Sequence, residues 1–147
     1  MFGSIVVGTD GSDTAKEAVR QAVELARSVG GELLLVSAYQ PVSRVSVSRE
    51  AADAPADVQW MVSAREDVAA LLAEAAATAE EAGVTAQTFP RQGDPADAIL
   101  DVAEERDADL IVVGNKGMTG AKRFLLGSVP NRVSHHAPCS VLIIRTT

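Results

Sequence analysis

The chain contains one cysteine, no long apolar run and no basic leader at its start. Cys139 alone cannot close an internal disulfide, which is typical of proteins in a reducing compartment, so we expect a cytoplasmic location. A membrane-spanning helix needs about 18 or more consecutive apolar residues, and no stretch approaches that length, so we predict no membrane partner. Residues 1–7 lack the cleavage site of a signal peptide and are interpreted as leading into a first strand.

Positive charge is scarce, with 13 Lys and Arg against 20 Asp and Glu and a net charge of −7. Nucleic-acid-binding domains carry an excess of cations, so we predict no nucleic-acid partner. The cations are also unevenly distributed, because five of them and no carboxylate follow Asp109. A local positive field on an acidic protein indicates a small anionic ligand, and a chance surface distribution is the alternative.

The length of 147 residues and the 47% hydrophobic content are typical of one globular domain with its own core, so we predict a single domain, residues 1–147. Apolar, β-branched runs predict five strands. Several runs are apolar without alternation, which is expected of strands covered on both faces. The predicted strands are Ser4–Gly8, Glu32–Ala38, Val84–Phe89, Asp109–Val113 and Ser140–Ile144.

Helical patterns separate the predicted strands. Residues 12–29 place apolar side chains from Ala15 to Val29 on one stripe, residues 57–82 repeat such a pattern, and Asp94 is the predicted N-cap of a third helix. A short fourth helix is predicted to follow Gly127 and Ser128. Alternating strands and helices predict an α/β three-layer sandwich, a parallel sheet with helices on both faces. The stretch Pro41–Pro55 has neither periodicity and is predicted to be a mobile loop.

Ligands of such folds bind beyond the carboxyl ends of the strands, where the strand order reverses. The stretch GNKGMTGAKRFLLGS, residues 114–128, follows a predicted strand at that edge and holds four glycines, three cations and no carboxylate. Its glycines let the backbone approach a ligand and adopt positive φ, and the N–H groups of Gly127, Ser128 and Val129 at a helix start form an anion site. The alternative is a plain glycine-rich loop in which Ser128 only caps its helix.

Two common phosphate motifs are absent from this stretch. Lys122 follows Ala121 and precedes Arg123, so there is no Walker A loop. No G-x-G-x-x-G fingerprint of dinucleotide binding follows the predicted strand Ser4–Gly8 or the predicted strand Asp109–Val113. The spacing present is Gly114-x2-Gly117-x9-Gly127-Ser128, between a strand and a helix.

This arrangement resembles the universal stress protein family, in its ATP-binding branch. The resemblance runs along the chain through IVVGTDGS at 5–12, LLVS at 34–37, GDP at 93–95, ADLIVVG at 108–114 and HAPCSVLII at 136–144. It implies a five-stranded parallel sheet of order 3-2-1-4-5, a homodimer formed through the last strand, and bound ATP with Mg²⁺.

The resemblance also implies which residues contact the nucleotide. Asp10 would accept hydrogen bonds from the ribose hydroxyls, and a turn-forming role before Gly11 is the alternative. The backbone of Val36 would contact adenine while its side chain packs in the core. Lys116, Lys122 and Arg123 lie where cations could meet phosphates, and a solvated loop face is the favoured interpretation for at least two of them. The implied contact residues are Gly8, Thr9, Asp10, Val36, Gly114, Gly117, Gly127, Ser128 and Val129.

One position departs from the family pattern. Where the family commonly has a small or hydroxylated residue, this chain has Pro130, which supplies neither an N–H nor a hydroxyl. A lost charge-assisted donor weakens phosphate binding by about 1.5–3 kcal/mol if the ligand uses it. Three other backbone donors remain, so we expect weakened rather than abolished binding.

The sequence contains no candidate catalytic residue. Hydrolysis needs a group that positions water against the γ-phosphate, and the sequence provides no candidate. His135 and His136 are adjacent and lack a third ligand, so no metal site is predicted. The leading hypothesis is an ATP-binding regulatory module of the stress response with at most slow hydrolysis. The alternatives are a dimeric interaction protein of the same fold that binds no nucleotide, and an enzyme of adenylate chemistry on a related fold.

Overall fold

In the computed structural model, which describes residues 2–39, 54–115 and 128–146, nine helices and strands alternate along those residues. They are β1 (Ser4–Gly8), α1 (Asp13–Val29), β2 (Glu32–Tyr39), α2 (Ala54–Glu81), β3 (Ala86–Gln92), α3 (Pro95–Glu105), β4 (Leu110–Gly114), α4 (Ser128–His136) and β5 (Ser140–Ile144). All strand pairs are parallel, in the order β3-β2-β1-β4-β5. The sheet order implied by the family resemblance is confirmed.

Alternate residues of each strand belong to cores on opposite faces of the sheet. Ile5 and Val7 of β1 pack in the core formed with α1 and α2, and Val6 between them packs in the core formed with α3 and α4. All three side chains are fully buried, which explains why β1 shows no apolar–polar alternation. The predicted three-layer arrangement, with helices on both faces, is therefore confirmed.

Strand β3 differs from its prediction, because it covers Ala86–Gln92 rather than Val84–Phe89 and contains Pro90. The Leu33 N–H donates to the Thr85 carbonyl, and the Gly93 N–H donates to the Tyr39 carbonyl. Since alternate residues of a strand face one neighbour, the odd-numbered residues of β3 face β2 and Pro90 faces away. β3 is an edge strand, so the missing N–H of Pro90 removes no ladder bond.

Helix α2 begins at Ala54, earlier than the predicted residue 57, so Ala54 and Pro55 belong to the helix and not to the predicted loop. Pro55 is the second residue of α2, in the first turn, where a proline loses no intrahelical hydrogen bond. The rest of the predicted loop, residues 41–53, lies outside the described residues. Strand β2 extends one residue further than predicted, to Tyr39, and β4 is shifted by one, to Leu110–Gly114.

The ends of α1 and α3 follow the sequence signals. The Ser12 hydroxyl accepts the Ala15 N–H, and Gly30 ends α1 with a φ of 72°. The Asp94 carboxylate accepts the Asp97 N–H at 3.0 Å, which confirms the predicted start of α3. Ala18, Val19, Ala22 and Ala26 of the predicted α1 stripe are buried, Ala15 and Leu25 are half-buried, and Val29 is 40% exposed at the last residue of the helix. In the described part of the chain, no helix combines the length and apolar character needed to span a bilayer.

Candidate functional site

The carboxyl edge of the sheet has a switch point between β1 and β4. From β1 the chain continues into α1 on one face of the sheet, whereas α4, which follows β4 in the element order, packs on the other face. Gly8 ends β1 and pairs with Val36 of β2, and Gly114 ends β4. This is the edge at which open α/β sheets bind ligands. The described residues of the predicted site all lie along it or at the start of α4.

The turn after β1 is held by its own hydrogen bonds. Thr9 is only 2% exposed, its N–H donates to the Val36 carbonyl at 2.9 Å, and its hydroxyl accepts the Gly11 N–H at 3.1 Å. The Thr9 N–H is therefore engaged within the protein, and the Val36 carbonyl keeps one lone pair for a ligand. The φ of Gly11 is 80°, in the left-handed region that a non-glycine residue rarely adopts.

Asp10 is half-exposed in this turn, and its Oδ1 accepts the Ser12 N–H at 2.9 Å. The turn-forming role raised by the sequence is thus present. It engages one carboxylate oxygen, and Oδ2 has no hydrogen-bond partner among residues 2–39, 54–115 and 128–146. Because a carboxylate accepts through both oxygens, the turn orients Asp10 and leaves Oδ2 for hydroxyl donors of a ligand.

Gly114 does not have the positive φ expected of it. The described glycines with positive φ are at 11, 30, 83 and 93, whereas Gly114 continues β4 and pairs with Ile144 of β5. Its surroundings are close, because a Cβ at this position would be in van der Waals contact with the Thr146 Cγ2, at 3.4 Å. The expectation was wrong because strand pairing, which cannot be read from the glycine motif, determines the conformation of its first residue.

Helix α4 presents its first turn at the same edge. Ser128 is its first residue and is exposed, whereas Val129 and Pro130 are buried, and Val129 packs in the core that also contains Val113. The N–H groups of a first turn have no intrahelical acceptor, so those of Ser128 and Val129 are donors for an anion. Pro130 occupies the third position, and the first turn thereby has one donor fewer.

The remaining predicted contacts, Gly117 and Gly127, lie outside the described residues. The cations Lys116, Lys122 and Arg123, for which phosphate contact and a solvated loop face were both considered, also lie outside them. The described part of the site therefore comprises the β1–α1 turn, Val36 of β2, the end of β4 and the start of α4.

Two links at this edge were not anticipated from the sequence. Asn115, which follows Gly114, is hydrogen-bonded to Thr146, just beyond β5. Arg132 of α4 forms ion pairs with Asp94 at 3.3 Å and Asp97 at 2.7 Å, joining α4 to the start of α3. A polar residue directly after a buried strand is a signal for the first link. The second has no local signal, because Arg132 and Asp94 are 38 residues apart.

A groove of about 190 Å³ lies between α1 and α2 and is bordered by the β1–α1 turn. Thr9 and Gly11 line one end, and Lys16, Leu71 and Thr78 are among its walls. It opens on the sheet face covered by α1 and α2, whereas α4 packs on the opposite face. The groove is therefore separate from the start of α4.

Cys139 lacks the environment of a nucleophile. Burial, together with the charge of the nearby Asp109, raises the pKa of the Cys139 thiol. A reactive cysteine requires the opposite shift, because the thiolate is the nucleophile. Within the described ranges, no three His, Cys, Asp or Glu side chains converge as metal ligands would.

Known proteins resemble this chain over nearly its whole length. A sequence model of the universal stress protein family matches residues 1–145. The universal stress protein Rv1636 of Mycobacterium tuberculosis is 38% identical over 147 residues, which cover 99% of this chain and 98% of the relative.

Two solved structures extend this likeness. A universal stress protein in complex with cAMP is similar with a TM-score of 0.72 and 35% identity, covering 99% of this chain and 98% of that chain. The universal stress protein from Archaeoglobus fulgidus in complex with dAMP gives a TM-score of 0.64 at 25% identity, covering 99% and 100%. Both similarities include the strands and helices that form the candidate site.

Proposed function

Because the chain belongs to the universal stress protein family, we propose that it is an ATP-binding regulatory module of the stress response, with at most slow hydrolysis. The proposal rests mainly on Asp10, whose Oδ2 has no described partner and which lies at the same sheet edge as Gly114 and the start of α4. The bound cAMP and dAMP of two structural relatives support an adenine nucleotide as the ligand. The lone Cys139 fits our proposal of a cytoplasmic setting.

In this proposal each described element binds one part of the nucleotide. The Val36 backbone receives adenine, and Asp10 Oδ2 accepts the ribose hydroxyls. Gly8 and Thr9 form the wall between them. Gly114 and the first turn of α4, with Ser128 and Val129, receive the phosphates, and Gly117 and Gly127 complete this set.

The residues at this edge fit a nucleotide that brings its own metal ion. Mg²⁺ usually keeps several waters and binds the nucleotide phosphates, so it needs few protein ligands. Mg²⁺ would neutralise phosphate charge, while the amides of the α4 first turn would supply the remaining donors. Since Pro130 supplies no donor, we expect phosphate binding to depend on the amides of Gly127, Ser128 and Val129.

The proposal predicts that ATP stabilises the folded protein. At a ligand concentration of 100 times its dissociation constant, the free energy of unfolding should rise by about 2.7 kcal/mol. For a chain of this size the melting temperature should rise by roughly 6–10 °C. Thermal unfolding with ATP and Mg²⁺ measures the shift, and GTP with Mg²⁺ is the control for the base. Absence of any shift with millimolar ATP, ADP, AMP or cAMP would refute the proposal.

Asp10→Asn is expected to weaken ATP binding about tenfold without destabilising the fold. The amide oxygen of asparagine still accepts the Ser12 N–H, so the turn is retained. The hydrogen bonds to the ribose lose their charged acceptor, which corresponds to roughly 1.4 kcal/mol. Calorimetric titration measures the affinity. Asp13→Asn, at an exposed position in the first turn of α1, removes the same charge nearby and should leave the affinity within twofold. Equal affinity of Asp10→Asn and wild type would exclude the ribose role.

A second candidate function is a dimeric interaction protein that binds no nucleotide. It is favoured by β5, an edge strand on which Leu142 and Ile143 are 39% and 38% exposed. An unpaired apolar edge is suited to pairing with another chain, and we propose a second copy of this protein there. Both candidate functions include the proposed homodimer, so the oligomeric state does not distinguish them. The measurement of nucleotide binding does, because only the first function requires it.

A further inference from the structure

The end of β4 is attached to the segment that follows β5. The Asn115 N–H donates to the Ile144 carbonyl at 2.8 Å, which continues the strand ladder past Gly114. Its side-chain Oδ1 accepts two further hydrogen bonds, from the Thr146 N–H at 2.9 Å and from the Thr146 hydroxyl at 3.1 Å. Asn115 thus forms three hydrogen bonds, one from its backbone N–H to Ile144 and two at its side-chain oxygen from Thr146.

The chemistry of the donors fixes the orientation of this side chain. A backbone N–H can only donate, so the amide oxygen of Asn115 must face Thr146 and its amide nitrogen must face away. Both residues are half-buried, and so their hydrogen bonds are partly shielded from competing water. The pair is therefore a defined contact between positions 31 residues apart.

The same contact packs against Gly114. A Cβ on Gly114 would lie 3.4 Å from the Thr146 Cγ2, in van der Waals contact with it. The Thr146 methyl group therefore lies beside Gly114, on the side where a Cβ would be, while the Thr146 N–H and hydroxyl are held by Asn115. Movement of Thr146 would open the space beside Gly114, which itself stays paired with Ile144.

We propose that Asn115 is a positioning residue for the nucleotide, because it holds Thr146 beside Gly114 and so keeps the end of β4 and the segment after β5 together where the polyphosphate binds. This inference rests on the proposed function, in which Gly114 receives phosphate. A backbone that is already ordered loses less conformational entropy when the ligand binds. The effect should therefore appear with phosphorylated ligands and not with adenosine, which lacks phosphate.

The experiment compares ATP with Mg²⁺ and adenosine as ligands in calorimetric titrations of the full chain. Asn115→Ala is expected to bind ATP about tenfold more weakly and adenosine within twofold of wild type. Thr146→Val keeps the methyl contact and the backbone N–H but loses the hydroxyl bond, so it should weaken ATP binding roughly threefold. Thr146→Ser keeps both hydrogen bonds to Asn115 and loses only the methyl group beside Gly114, so it should weaken ATP binding less than Thr146→Val does.

The double variant tests whether Asn115 acts through Thr146. If it does, Asn115→Ala with Thr146→Val should bind ATP no more weakly than Asn115→Ala alone, because the same contact is already lost. Full additivity, or an unaffected Thr146→Val, would mean that Asn115 contacts the ligand directly, and the positioning role would be overturned. Should Asn115→Ala fail to fold, the ATP affinities of Thr146→Val and Thr146→Ser are compared instead. A larger loss for Thr146→Val supports the positioning role, and an equal or smaller loss overturns it.

Two other outcomes would also overturn the inference. Unchanged ATP affinity of Asn115→Ala would show that Gly114 needs no support from Thr146. An equal loss of ATP and adenosine affinity would indicate general structural damage rather than positioning of the phosphate. Wild type is measured first, and if it binds no adenosine compound, the proposed function itself fails and this inference with it.

Discussion

Replacing Gly31 with alanine is expected to lower the free energy of unfolding by about 2–3 kcal/mol. A Cβ at Gly31 would collide with the carbonyl oxygen of Phe2 and would lie 3.3 Å from the carbonyl oxygen of Gly3. Both obstacles are backbone atoms, which cannot rotate away as a flexible side chain does.

Relief of this clash would require β1 and β2 to separate at their start. There the Glu32 N–H donates to the Gly3 carbonyl at 3.0 Å, next to the paired residues Ser4 and Glu32. Displacing Gly3 would strain that bond at the centre of the sheet, because β1 lies between β2 and β4. The large effect therefore has a steric cause that extends into the strand ladder.

Gly30→Ala is the matched control for this prediction. Gly30 has a φ of 72°, but no atom lies within 4 Å of a Cβ built on it. Alanine there should cost only about 1–2 kcal/mol, the penalty of a left-handed conformation. Chemical denaturation of the two variants measures both effects. A greater loss of stability for Gly30→Ala than for Gly31→Ala would show that the clash with Phe2 is not the main cause of the destabilisation.

Leu72→Ala is expected to lower the free energy of unfolding by about 3 kcal/mol. Leu72 has no exposed surface and packs in the core between the sheet and α1 and α2, together with Val68 and Ala79 of the same helix. Shortening its side chain leaves a cavity, because α2 is packed against β2 and β3 and cannot fully collapse into the space.

Leu71→Ala tests whether burial is responsible, because Leu71 is adjacent on the same helix but only partly buried at the groove wall. Its substitution should cost about 1 kcal/mol, since less apolar area leaves water on folding. Both variants have the same change of helix propensity, so the difference between them reports packing. Equal destabilisation in urea titrations would mean that α2 is not anchored through Leu72.

The elements that the sequence predicted well have local causes. Unbroken apolar runs identified β1 and β4, which are covered on both faces. Asp94 predicted the start of α3 because a cap acts on N–H groups only a few residues away. The sheet order came with the family resemblance, since nothing in the local patterns of the strands specifies their neighbours.

The errors arose where contacts between distant residues decide the outcome. The length of β3 depended on its being an edge strand, where Pro90 is tolerated. Gly114 was expected to need positive φ, but its pairing with Ile144 keeps it in the strand. For Asp10, the family resemblance implied a ribose contact and the sequence offered a turn-forming role as the alternative. The fold shows that the turn engages only one of its carboxylate oxygens.

The sequence by itself determined the elements, their apolar faces, the helix caps and the family, because these depend on periodicity, short-range hydrogen bonds and motif spacing. The tertiary structure alone decided the collision that makes Gly31 obligatory, the exposed edge of β5 and the contact of Asn115 with Thr146. Each of these joins segments that are distant along the chain. Strand pairing brings such segments together, and the local sequence of each segment does not predict the contact.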